Sequence, residues 1–144
     1  MKKTILTFVA TVFLTTAFSC SSDDNDAPVD PIIGKWNQES FTIDGVEQTL
    51  TDCDREFFYR FNAEGFEIFV SEFFNGQCRK DNDMGTWERD AENPLKYSGV
   101  ILSDPDDPIA FELNQEGTVL SEISIRNFNG TGRLETLIFI YTKE

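Results

Sequence analysis

Residues 55–74 read Arg-Glu-Phe-Phe-Tyr-Arg-Phe-Asn-Ala-Glu-Gly-Phe-Glu-Ile-Phe-Val-Ser-Glu-Phe-Phe, and this stretch decides the fold class. In its first half Phe57, Tyr59 and Phe61 fall on one side of an extended chain, and Glu56, Phe58 and Arg60 on the other. Ala63-Glu64-Gly65 turns the chain, after which Phe66, Ile68 and Val70 alternate with Glu67, Phe69, Ser71 and Phe73. A period of two is the spacing of β-strands, whose successive side chains point to opposite faces. The stretch therefore predicts an antiparallel hairpin.

Outward from it the text stays β. Upstream, a strand over Ile33–Ile43 closes at Asp44-Gly45, a strong hairpin signal, and a short strand follows over Val46–Leu50. Downstream, Asn75-Gly76 breaks the second strand, and Lys80-Asp81-Asn82-Asp83 reads as a polar turn before a strand over Met84–Arg89. Leu95–Ser103 is a further strand, and Asp104-Pro105-Asp106-Asp107-Pro108 reads as a rigid acidic loop. Ile109, Phe111 and Leu113 alternate with polar or small residues; in Val119–Arg126, Val119, Ile123 and Ile125 share a face. Asn129-Gly130-Thr131-Gly132 is a loop, and Leu134–Thr142 closes the chain. No helical period exceeds two turns. Seven to nine short strands joined by turns at regular spacing predict an all-β barrel or sandwich, antiparallel throughout.

The first residues are of another kind. Lys2 and Lys3 precede a mostly apolar run from Thr4 to Ser19, in which six residues carry hydroxyls. A membrane-spanning helix needs about 20 predominantly apolar residues, so this run is too short and too polar to span. A basic start, a short apolar core and small residues before a boundary are the pattern of a secretory signal. Ala17-Phe18-Ser19-Cys20 resembles the lipobox of bacterial lipoproteins, which implies that residues 1–19 are removed and Cys20 carries the lipid. The alternative is a plain signal peptide cut near Ser19. The following Ser21-Ser22-Asp23-Asp24-Asn25-Asp26 resembles the acidic export tag of lipoproteins displayed on the outer face of the outer membrane. It reads equally as a solvated tether, because such a run cannot bury apolar surface. Residues 20–31 are thus expected to be an acidic tether ending at Pro28 and Pro31, with the folded domain over residues 32–144.

Composition narrows the function. The formal charge is −14, and −16 once Lys2 and Lys3 leave with a signal. That acidity argues against nucleic acid, which demands clustered Lys and Arg, and leaves the Cys20 lipid as the expected membrane contact. With His absent, the commonest general base and metal ligand is missing. There is no Gly-x-Ser-x-Gly either, so no catalytic residue, cofactor or enzyme activity is expected. The acidic runs 81–83 and 104–107 lack the spacing of a calcium loop, and no metal site is assigned. Once Cys20 is set aside, Cys53 and Cys78 remain as an even pair in an exported chain, which reads as a disulfide rather than two free thiols. They stand at the two open ends of the 55–74 hairpin, a placement that would face them across neighbouring strands.

Gly34-Lys35-Trp36 opens the first strand and Gly85-Thr86-Trp87 a later one. A Gly-x-Trp at the start of strand one resembles the lipocalin signature, and together with the lipobox the chain is similar to small lipocalin-like domain lipoproteins. The resemblance implies an up-and-down barrel of about eight strands, with Gly34 and Trp36 at its closed end, echoed by Gly85 and Trp87. It also implies a late Arg packed on the tryptophan, a role open to Arg126 or Arg133. Phe57, Tyr59, Phe61, Phe66, Ile68 and Val70 would then face the interior, where they either line a cavity or fill a core. Phe58, Phe69, Phe73 and Phe74 would lie on the other face, as a partner-binding patch or a second packing layer. The expected function is non-catalytic binding of a small hydrophobic or amphipathic ligand. The alternative is a surface accessory that meets a protein partner through its loops.

Overall fold

In the computed structural model, which describes residues 28–127, 130 and 132–144, the strands follow one another around a ring. They are β1 (Gly34–Ile43), β2 (Val46–Glu47), β3 (Phe58–Phe61), β4 (Phe66–Phe74), β5 (Gln77–Arg89), β6 (Lys96–Ile101), β7 (Asp104–Leu113), β8 (Val119–Arg126) and β9 (Glu135–Lys143). Every pairing is antiparallel and joins neighbours in sequence, save that β3 pairs with β1 across β2 and that β9 returns to β1. The two-residue β2 pairs only with the end of β1, so eight strands close the barrel. β1 makes this closure by bonding β3 through Gly34–Asn37 and β9 through Trp36–Ile43, with a bulge between Gln38 and Ser40. Closure removes the exposed sheet edges that an open antiparallel sheet would present.

The hairpins form where the sequence supplies positive φ. Asp44 and Gly45 (φ 49° and 80°) and Asn75 and Gly76 (φ 50° and 82°) carry the two tightest turns, the conformation that two-residue hairpins require. The 55–74 hairpin is present, with Tyr59 opposite Ile68 and Phe61 opposite Phe66.

Two local readings are corrected. Lys80–Asp83 is not a turn but the middle of the 13-residue β5, held by a nine-rung ladder to β4 in which Val70 faces Asp81 and Ile68 faces Asp83. Asp104–Pro108 is not a loop but the start of β7, which departs from a tight turn at Leu102-Ser103. In both segments inter-strand pairing overrides weak local β-propensity. In β8 the face shared by Ile123 and Ile125 is the outer one, where they are 39% and 65% exposed, while Leu120 and Glu122 point inward.

The core is aromatic. Trp36, Tyr59, Tyr141, Phe61, Phe66 and Phe111 are the largest fully buried side chains. Close approach requires glycine at Gly85, where an added Cβ would lie 2.3 Å from the Phe66 ring. Among the described residues no helix is long and apolar enough to cross a membrane. Cys20, the 1–19 segment, most of the expected tether and part of the 129–132 loop lie outside the described residues.

Candidate functional site

The barrel has two unlike ends. At the first, Gly34 opens β1 with φ 143°, and Trp36 beside it has no exposed surface. The Trp36 indole N–H donates to the Ile32 carbonyl at 2.7 Å, which draws the entering chain across the barrel floor. Asp30, at the end of the expected tether, accepts from the Tyr97 hydroxyl at 2.8 Å, and Pro31 O accepts from Lys143 Nζ at 2.7 Å. The same Lys143 ammonium lies 5.2 Å from the Trp36 ring. Lys143 therefore takes the cationic role on the tryptophan for which Arg126 and Arg133 were the candidates. Those two pair at the other end of the barrel, with Asp107 at 3.0 Å and Asp44 at 2.7 Å. Trp87, half-buried, donates its indole N–H to Asn62 O at 2.8 Å and meets Tyr97 edge-on. It belongs to this floor as well.

Above the floor Phe61, Phe66 and Phe111 pack with ring centroids 5.3 to 6.2 Å apart. Phe61 and Phe66 thus fill the lower barrel and do not line a cavity. Toward the opposite end the interior opens into a cavity of about 380 Å³, within the size of small-molecule pockets, roughly 300–1,000 Å³. Of the residues expected to face the interior, Phe57, Tyr59, Ile68 and Val70 do line it. Ile109 from β7 and Leu137 and Phe139 from β9 supply further apolar wall. Phe139 stacks on Phe41 at 5.4 Å, joining β9 to β1 at the rim.

The cavity floor is polar, and sequence reasoning did not find it. Glu122, 6% exposed, accepts on Oε2 from the hydroxyls of Tyr59 at 3.0 Å and Tyr141 at 2.7 Å. Burial raises its carboxyl above the ordinary carboxylate value, against the two tyrosine hydroxyls and Arg126, which act to lower it. Burial first, and then the Glu122 charge, hold both phenols well above their usual value. The available signal was the alternation itself, which puts Glu122 two residues from the inward Leu120 and opposite Phe139 on β9. Ser71 borders the same cavity, and its hydroxyl is enclosed without a hydrogen-bond partner among the described residues.

The rim is stapled. Cys53 and Cys78 are disulfide-bonded with Cα atoms 5.5 Å apart, but not across the 55–74 hairpin. Cys78 stands on β5, one strand further on, opposite Phe73. Cys53 precedes a single 3-10 turn, Asp54–Glu56, which fills the gap between the upper part of β1 and β4. Lys80 adds an ion pair to Glu56 at 2.7 Å.

The outer-wall aromatics do not form one patch. Phe58 and Phe69 stack at 4.2 Å beneath Lys35 and Arg60, whereas Phe73 and Phe74 project at the β4–β5 tip. The acidic runs lie in β5 and β7, and no cluster of three or more potential metal ligands occurs among the described residues.

This architecture defines a class, the single closed up-and-down β-barrel with one end plugged and the other open to a cavity. The model of the lipocalin-like domain matches residues 32–121, and the chain belongs to that family. Among solved structures, Odorant Binding Protein OBP1 is similar at TM-score 0.46 and 12% identity, over 79% of this chain and 72% of that one. The complex of bovine odorant binding protein with undecanal gives TM-score 0.44 and 14% identity, over 81% and 73%. Aphrodisin, a sex pheromone from female hamster, gives 0.45 and 18%, over 78% and 75%. No curated protein matches the sequence.

Proposed function

We propose that this chain is a cell-envelope lipoprotein, anchored in the outer membrane through Cys20 and displayed at the cell surface. Its barrel binds a small hydrophobic or amphipathic molecule without acting on it chemically. The observation that carries the binding reading is the cavity of about 380 Å³, apolar in its walls and set at the end away from Trp36. The lipobox-like Ala17-Phe18-Ser19-Cys20 supports the anchor. Asp30 and Pro31 join the barrel at its plugged end, so the chain enters the domain on the side away from the mouth, which supports a tether attached there.

Native mass spectrometry of the chain purified from an exporting bacterium tests both parts. The expected result is diacylglycerol mass on Cys20 and a further small mass that organic solvent removes. A bare protein that also fails to bind a neutral fluorescent probe such as N-phenyl-1-naphthylamine contradicts the binding reading. The alternative, a surface accessory with a protein partner, draws on Phe73 and Phe74, which are 68% and 58% exposed. An open apolar cavity favours the first reading, because an accessory working through its loops has no need of one.

A further inference from the structure

We propose that the cavity selects a small apolar amine, with the ammonium group held by Glu122 Oε1 and the hydrocarbon against the walls. This inference rests on the binding reading above and adds the chemical class of the ligand. Both tyrosine hydroxyls donate to one oxygen of Glu122, Oε2, which casts the group as an acceptor. Its other oxygen, Oε1, takes no hydrogen bond from any described residue, and the side chain borders the cavity. Buried charges are stable when paired and hydrogen-bonded, so a cation from outside completes this site.

The protein's own cation at the cavity, Arg126, is already engaged with a carboxylate other than Glu122. Arg126 is the one basic residue lining the described cavity, and its guanidinium pairs with Asp107 at 3.0 Å. Asp54 and Glu72 also line the cavity. The net charge of −14 extends this field beyond the mouth, drawing in cations and repelling anions. A fatty carboxylate would meet Glu122 head-on. An alcohol can donate to Oε1 but without the added strength of a charge-assisted bond.

The test is a matched titration of the full chain at neutral pH with decylamine, 1-decanol and decanoate. The expected result is that decylamine binds about tenfold or more tighter than decanol, the margin of one charge-assisted hydrogen bond, with decanoate weakest. In Glu122→Gln the amine-to-alcohol ratio falls to about one, the value expected when the charge at Oε1 is gone. Decanoate binding as tightly as decylamine in the wild type, or an amine preference that survives Glu122→Gln, overturns the inference and leaves the cavity reading standing. Failure of all three probes overturns both. The wild-type ratio decides by itself, so the test does not depend on the variant's folding.

Discussion

Tyr141 and Glu122 meet at 2.7 Å inside the barrel, the phenol donating to a carboxylate that has lost almost all contact with water. β9 and β8 place them on the same inner face, Tyr141 opposite Leu120 and Glu122 opposite Phe139. A hydrogen bond to a charged group contributes roughly 1.5–3 kcal/mol, and a partner left unsatisfied costs at least as much. Tyr141→Phe is therefore expected to lower the unfolding free energy by about that amount, measured by urea denaturation at neutral pH. An unchanged midpoint would mean that the hydroxyl contributes nothing to holding Glu122.

The same cluster fixes the sign of the pH dependence. Burial, with the Glu122 charge behind it, raises the phenols of Tyr59 and Tyr141 above their ordinary value of 10.0. Groups raised in the folded state contribute stability that is present below the unfolded pKa and lost as pH climbs through the folded one. Melting temperature should accordingly fall as pH rises beyond about 10, and fall less in a Tyr59→Phe, Tyr141→Phe double variant. Glu122 is raised too, so its contribution is present below the usual carboxylate range and lost as pH rises through its folded value. Glu122→Gln should lack that earlier decline in a series of thermal melts.

The disulfide joins residues 25 apart, a loop whose closure stabilises by about 3.5 kcal/mol in the chain-entropy model. Cys53→Ser with Cys78→Ser should lose close to that amount in guanidinium unfolding. The rim is expected to loosen before the floor, with faster amide exchange in β4 and the start of β5 than around Trp36. Uniform loosening would indicate that the staple acts on the unfolded chain alone.

At the plugged end, Gly85→Ala places a methyl group 2.3 Å from the Phe66 ring. Forcing extra volume into a packed core costs typically 1–3 kcal/mol, and a comparable loss is expected here by thermal unfolding. Because Gly85 faces Phe66 and not the cavity, the order of affinities for apolar probes should survive the change.

The barrel was legible because its strands alternate strictly where they are half-buried. Tyr59, Phe61, Phe66 and Ile68 reveal their shared face by period alone. What escaped notice depends on partners distant in sequence. Lys80–Asp83 reads as a turn by composition and becomes a strand because β4 supplies a partner for each of its residues. Cys53 and Cys78 were correctly paired by parity, yet the bond spans from the 3-10 turn to β5, a geometry that the hairpin register does not encode. Glu122 was missed because a glutamate within a strand ordinarily marks the solvent face. Its outward neighbours Ile123 and Ile125 are apolar, so the usual apolar-in, polar-out pattern is inverted along this part of β8.

The most direct test of the account is methyl NMR of the full chain titrated with decylamine. Binding in the barrel mouth predicts that the methyl resonances of Ile68, Ile109 and Leu137, which line the cavity, shift together to saturation. Those of Ile123 and Ile125 on the outer wall should stay in place. Shifts confined to the outer isoleucines, or no saturable shift at Ile109 and Leu137 with decylamine or with 1-decanol or decanoate in its place, would contradict a ligand-binding interior.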